Sequence, residues 1–178
     1  MPTFYIDMDG VLVRYQHHAY TGIHPIWLQP GRHYFQHLLP DHTIIGIMSR
    51  LHNTGEAVKI LTALPQGHSI SQTEHIPDKK LWIQNHMPWF DINHDFIYTY
   101  QSKADLLTHT KNPASHILID DYNINLNAWK KAGGTAVKYL NGINTPNTFD
   151  GPHISHEMTP DTIIQSLNNL IKERKTET

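Results

Sequence analysis

At about 150 residues per domain, a chain of 178 residues is expected to form one domain over residues 1–178, burying roughly 70% of the surface its unfolded form exposes. Hydrophobic residues at 39% and charged residues at 17% exclude both a highly charged disordered chain and a membrane-embedded one. Lys plus Arg at 14 against Asp plus Glu at 16 leaves a formal charge of −2, too balanced for general nucleic-acid binding.

With no cysteine in the sequence, a disulfide framework, a thiolate nucleophile and Cys-ligated metal sites are excluded, so any metal must sit on oxygen or imidazole. No apolar run approaches the roughly 20 residues of a bilayer span. The start, MPTFYIDMDG, carries no basic and apolar leader, and a cytoplasmic location is expected. Fifteen histidines make the net charge steeply pH-dependent below neutrality.

In chain order, a strand is expected over Thr3 to Ile6, followed by a short insert from Val13 to Gln29 and a helix over Pro30 to Leu39. A strand over Thr43 to Met48, a helix over Thr54 to Leu64 and a weak strand over His68 to Ser71 come next. Then a helix over Pro77 to His86 leads to a strand over Asp95 to Tyr100 and a helix over Ser102 to His109. A strand over His116 to Ile119 precedes a helix over Ile124 to Ala132, with Gly133 placed as its left-handed cap. The last strand covers Thr135 to Tyr139, residues 141–159 read as loop, and Thr159 caps a final helix over Pro160 to Lys172. Alternating β and α segments with continuously apolar strands predict an α/β fold, a central parallel sheet with helices on its faces.

Ligands of such sheets bind beyond the carboxyl ends of the strands. Two strands run into acids there, Asp7-Met8-Asp9-Gly10 and Asp120-Asp121. Residues two apart in an extended segment share a face, so Asp7 and Asp9 can address one volume while Gly10 lets the chain turn. Carboxylates converging in one crevice repel one another unless a cation joins them, and an oxygen-only ligand set suggests Mg²⁺. Taken singly, either segment also reads as an ordinary polar turn.

Together these segments resemble the haloacid dehalogenase-like (HAD) hydrolase superfamily. The parts are DMDGVL at Asp7 to Leu12, IMSR ending at Ser49 and Arg50, SKADLL with Lys103, and ILIDDY with Asp120 and Asp121. Within it, PGRHYFQHL, DKKLWIQNHMP and LIDDYNINLNAWKKAGGTAVKYLNG resemble the short bacterial and phage members of the 5′-deoxyribonucleotidase family. The resemblance implies a three-layer Rossmann-like sandwich and a Mg²⁺-dependent phosphomonoesterase acting on nucleoside or deoxynucleoside 5′-monophosphates.

It further implies that Asp7 is the nucleophile, forming an aspartyl-phosphate, and that Asp9 protonates the leaving oxygen and then activates water. Asp7, the Asp9 carbonyl, Asp120 and Asp121 would hold the metal, with Asp120 direct and Asp121 acting through water, although the two could exchange. Ser49, Lys103 and the backbone N–H groups of Met8 and Gly10 would bind phosphoryl oxygens. An acid at position 9 separates phosphatases from dehalogenases in that superfamily.

The insert at about 13–29 is too short for a separate cap domain. Its Tyr15, Tyr20 and Trp27 can stack a base or pack the insert onto the core. Arg50 either clamps a phosphate or forms a surface ion pair, and Lys79 reads as a solvated helix residue. His33 and His37 lie four apart on an expected helix and could share a zinc, but no third ligand has suitable spacing, and the same holds for His17-His18 and for His153 with His156. Trp82, Trp89 and Trp129 read as packing residues. Another small phosphoester, such as a sugar phosphate or a nucleic-acid end, and a non-catalytic scaffold with this fold are the alternatives.

Overall fold

The computed structural model describes residues 2–14, 26–143 and 148–176. Tyr15, Tyr20, His17, His18 and most of the expected insert at 13–29 lie outside the described residues.

Strand β1 covers Thr3–Ile6, and the short strands β2 (Val13–Arg14) and β3 (Leu39–Pro40) form a separate antiparallel pair. Helix α1 covers His42–Asn53 and strand β4 covers Ala57–Ala63. Helix α2 (Ile76–His86) and strand β5 (Phe96–Thr99) follow, then strand β6 (His116–Asp120) and helix α3 (Asn123–Lys131). Strands β7 (Thr135–Leu140) and β8 (His153–Ser155) and helix α4 (Pro160–Thr176) complete the order.

Six strands form one parallel sheet in the order β5-β4-β1-β6-β7-β8. The chain runs outward from β1 to β5, then crosses back over β1 to build β6, β7 and β8. That reversal places the switch point at β1, between β4 and β6, where Ile6 sits opposite Ile60 on one side and Ile119 on the other.

The strands are apolar on both faces, and their period of two sorts the residues into two layers. Phe4, Ile6, Ile117, Ile119, Val137 and Tyr139 join a large cluster with Ile44, Ile47, Met48 and Leu51 of α1, Trp82 and Ile83 of α2, and Ile163 and Leu167 of α4. Tyr5, Leu61, Leu118 and Ala136 pack on the other face against Leu107 and against Leu126 and Trp129 of α3. Trp129 also donates its indole N–H to the His116 carbonyl at 3.1 Å, and Trp82 donates to Leu38 O at 2.7 Å, so both tryptophans anchor packing. Among the described residues no helix is long and apolar enough to cross a membrane.

The expected strand at Thr43 to Met48 is instead the body of α1, and the expected helix at Thr54 to Leu64 contains β4. Asp41 caps α1 by accepting the Thr43 and Ile44 N–H groups at 3.0 and 3.3 Å. Ile44, Ile47, Met48 and Leu51 are its buried residues, spaced i, i+3, i+4 and i+7 as on one helical stripe, and this outweighs the β preference of Thr43-Ile44-Ile45. Gly55, at φ 88°, follows just after the helix, and β4 then inserts between β1 and β5.

The expected helix at Pro30 to Leu39 is only a 3₁₀ turn at Tyr34–His37 followed by β3, and Ser102 to His109 contains a 3₁₀ turn at Lys103–Leu107. The weak strand expected at His68 to Ser71 is absent, its residues forming a turn that runs into a π-helical turn at 71–75 and then α2, and β8 lies inside the expected loop. Gly133 has the expected positive φ, at 90°, and Thr159 accepts the Thr162 N–H at 3.3 Å at the start of α4.

His75, in the π-helical turn, is 2% exposed and donates its Nε2–H to the Trp27 carbonyl at 2.5 Å. Burial pushes its pKa below the ordinary histidine value of 6.5. A depressed histidine contributes stability that is present above the unfolded pKa and lost as pH falls below it. The melting temperature of wild type should therefore drop more between pH 7.5 and 5.5 than that of His75→Gln, measured by calorimetry in the same buffers; parallel slopes would show that His75 does not carry this acid sensitivity.

Candidate active site

The carboxyl end of β1 continues its ladder one residue further, since the Asp7 N–H donates to Ile119 O at 2.9 Å. The next residues wrap tightly. The Met8 carbonyl accepts from the N–H groups of Leu12 and Val13, both at 3.0 Å, and Gly10 adopts φ 87°. A Cβ at Gly10 would lie 2.3 Å from Asp121 Oδ2, so glycine is required both by the turn and by the approach of the second acidic strand end.

Three carboxylates meet at this rim. Asp7, Asp120 and Asp121 each offer an oxygen within 4.8 Å of the others, and all three are buried. Lys103 is brought to them by the 3₁₀ turn, whose start Ser102 caps through the Ala104 N–H. Its ammonium lies 2.6 Å from Asp7 Oδ1 and 2.7 Å from Asp120 Oδ2. Burial pushes the Asp7 pKa well above the carboxylate range, the charge of Asp120 adds to this, and Lys103 opposes both. Burial alone disfavours the Lys103 ammonium, but Asp120 and Asp7 outweigh it and hold its pKa above the lysine value. Asp121 is pushed up to about 6, first by burial and then by Asp120.

This donor set fits a hard divalent cation. Three ionised carboxylates beside one lysine carry net negative charge among largely buried groups, and a cation entering from the cavity would relieve it. Asp120 has both oxygens engaged by protein donors: Oδ1 by the Tyr122 N–H at 2.7 Å, and Oδ2 by Lys103 and by Asn125 at 3.0 Å. Asp121 instead lines the cavity, where Asn141 Nδ2 reaches its Oδ2 and the Gly10 carbonyl, both at 2.9 Å.

Asp9 is partly exposed and faces another way. Lys79, with 0% exposure, donates to Asp9 Oδ1 at 2.7 Å, Asp9 Oδ2 at 2.5 Å and Thr62 Oγ1 at 3.0 Å, and lies 4.1 Å from the centroid of the Phe35 ring. The Asp9 side chain therefore stays outside the carboxylate cluster, leaving its carbonyl as the group it can offer a metal.

A cavity of about 520 Å³ opens over these groups, lined by Asp7, Asp9, Lys103, Asp121, Asn125 and Asn141 together with Trp27, Ala63, Tyr122 and Ile143. Trp27 packs tilted against Tyr34, with centroids 6.1 Å apart. Tyr122 and Ile143 are exposed at the rim.

The structure thus brings Asp7, Asp9, Lys103, Asp120 and Asp121 to one rim and separates the others. Ser49 lies on α1, not at a strand end, because that segment is helical. Arg50 is exposed and pairs with Asp161 of α4 at 2.7 Å, the surface ion pair rather than the phosphate clamp. The Met8 N–H is bonded to Asp7 Oδ1 at 2.7 Å and the Gly10 N–H to Val13 O at 3.0 Å, so both expected phosphate donors are engaged within the loop.

Thr62 and Lys79 escaped the sequence reading. Thr62 lies near the end of β4, the strand next to β1, and becomes visible once AVKILTA is read as a buried strand. Lys79 looked like a solvated helix residue, but it is buried beside Asp9.

Replacing Lys103 by methionine would leave Asp7 and Asp120 buried without their cation. Such a loss typically costs about 3–5 kcal/mol, or roughly 10 °C in melting temperature for a chain of this size. Scanning calorimetry of Lys103→Met should show this loss, partly restored by a divalent cation; an unchanged midpoint would mean that the lysine does not neutralise the cluster.

No protein-family model matches the chain, and no curated protein sequence is significantly similar to it. Solved structures are similar in fold over nearly the whole chain. A D,D-heptose 1,7-bisphosphate phosphatase from B. bronchiseptica, complexed with magnesium and phosphate, superposes with a TM-score of 0.65 at 12% identity, covering 95% of this chain and 99% of that one. A HAD hydrolase of family IA from Entamoeba histolytica gives a TM-score of 0.63 at 14% identity, covering 94% of this chain and 100% of that one. A haloacid dehalogenase-like protein from Streptococcus pneumoniae gives 0.59 at 14% identity, covering 94% and 98%. With β1 at the switch point and acids at the ends of β1 and β6, the chain has the fold of the haloacid dehalogenase-like hydrolases.

Proposed function

We propose that the chain is a Mg²⁺-dependent phosphomonoesterase that hydrolyses nucleoside or deoxynucleoside 5′-monophosphates. The observation that carries the reading is the buried Asp7 carboxylate, held by Lys103 beside Asp121 at the floor of an open cavity. The neighbour crystallised with magnesium and phosphate supports the same chemistry.

Asp7 Oδ attacks phosphorus in line, and the bond from phosphorus to the leaving alcohol oxygen breaks. Asp9 gives that oxygen a proton. Asp9 then takes a proton from water, which attacks the aspartyl-phosphate and releases phosphate with Asp7 regenerated. In the conformation described, Asp9 pairs with Lys79, so donation requires its carboxyl group to leave that contact, take up a proton from solvent and turn toward the leaving oxygen. Lys103 offsets charge on Asp7 and the transferring group.

Asp7, the Asp9 carbonyl and Asp121 would hold Mg²⁺, which would supply positive charge for the transferring phosphoryl group. Of the acidic pair, Asp121, which lines the cavity, would be the direct ligand, and Asp120, bonded to Lys103, Asn125 and the Tyr122 N–H, would act chiefly by holding Lys103 in place. Thr62, near the end of β4, takes the place in the pattern expected of Ser49.

The nucleotide reading comes from the resemblance of the sequence to the 5′-deoxyribonucleotidases and is supported by Trp27 and Tyr122 among the cavity's lining residues, since aromatic rings can stack a base. Phosphate release with Mg²⁺ should be measured on deoxynucleotides, ribonucleotides and sugar phosphates. Nucleoside 5′-monophosphates should be preferred, and Asp7→Asn should lose activity on the order of 10³-fold or more. Preference for sugar phosphates would retain the chemistry and replace the substrate. Equal inertness of wild type and Asp7→Asn across the panel would favour a scaffold.

A further inference from the structure

A second group of metal-ligating side chains lies outside the Asp7, Asp120 and Asp121 cluster. His33 precedes the 3₁₀ turn at Tyr34–His37, Glu74 lies in the π-helical turn at Ser71–His75, and Asp78 lies in the first turn of α2. One ligand atom from each falls within 4.8 Å of the other two.

Asp78 is the fixed member. Its side chain is 1% exposed, and its Oδ1 accepts from Gln36 Nε2 at 2.6 Å and from His33 Nδ1 at 3.0 Å. Its Oδ2 is buried without a hydrogen-bond partner among the described residues. A buried carboxylate oxygen without a donor is costly and rare, and it calls for a partner such as a bound ion. Glu74 is oriented by the Gly31 N–H, which donates to its Oε1 at 2.6 Å.

We infer that His33, Glu74 and Asp78 form a second metal site that takes a divalent transition ion of the Zn²⁺ type. The donor set decides the class. Mg²⁺ and Ca²⁺ take oxygen ligands, whereas one imidazole with two carboxylates suits zinc, whose open sites combine three protein ligands with a water. Zinc bonds of about 2.0–2.2 Å place tetrahedral ligand atoms about 3.4 Å apart, closer than the present outer limit of 4.8 Å. The half-exposed His33 and the partly exposed Glu74 can close that gap onto the immobile Asp78. His33 Nδ1 gives up the proton it now shares with Asp78, and that proton leaves to solvent.

The site is adjacent to the Asp9 contact along the chain. Lys79, which holds Asp9, follows Asp78 directly in the first turn of α2. A metal bridging His33 and Glu74 to Asp78 therefore braces that turn against the His33 loop and fixes where Lys79 stands.

The test is a calorimetric titration of Zn²⁺ into the full chain in millimolar Mg²⁺, which competes for the all-oxygen cluster. Wild type should bind one Zn²⁺ with proton release, seen as a dependence of the heat on buffer ionisation. His33→Ala should weaken this binding by at least about tenfold, and X-ray absorption of the Zn²⁺ complex should show an imidazole ligand. Asp78→Asn should lose binding too. If that buried substitution unfolds the chain, His33→Ala decides alone, because the side chain is half exposed and its loss leaves the core intact. Undiminished Zn²⁺ binding in His33→Ala, or none in wild type, would overturn the assignment.

Discussion

Lys103 lies between Asp7 and Asp120, within 2.7 Å of each, and all three side chains are buried beneath the cavity. Two carboxylates at the adjacent ends of neighbouring parallel strands would otherwise repel across low-dielectric surroundings. One buried ammonium makes their proximity tolerable, but only in part, because Asp121 adds a third negative charge. The remaining imbalance would favour a cation at this rim.

The sheet topology creates that proximity. Reversal of the strand order at β1, with all strands parallel, brings the carboxyl ends of β1, β4 and β6 together, and each contributes polar groups just where its apolar ladder stops. Apolar packing on both faces leaves the rim as the place where such groups gather without disrupting the core. The second polar centre, Lys79 with Asp9 and Thr62, is built from α2 and β4 and stands beside the first. Buried Lys79 holds the acid expected to move protons in the conformation described, while the cavity side of Asp7 stays open.

The inferred His33 site is connected with this arrangement through α2. Asp78 and Lys79 are consecutive, yet one reaches the His33 loop and the other reaches Asp9. Neighbouring side chains on a helix diverge by about 100°, so a single turn can serve two polar centres. Anchoring one of them limits the freedom of the other.

Much of this was legible in the sequence, because β1, β5, β6 and β7 are short apolar runs with clear boundaries. The acids at Asp7, Asp9, Asp120 and Asp121 directly follow such runs, and Lys103 sits where a local turn begins. Local patterning determined those elements and the chemical character of the rim. What patterning left open was the middle of the chain. Thr43-Ile44-Ile45 favours a strand by residue preference, but the Asp41 cap and the apolar stripe from Ile44 to Leu51 make it a helix. The tertiary structure therefore decided that Thr62 rather than Ser49 approaches the rim, that Arg50 joins α4, and that Lys79 is buried. Each of these outcomes depends on partners remote in sequence, whose distance no local periodicity encodes.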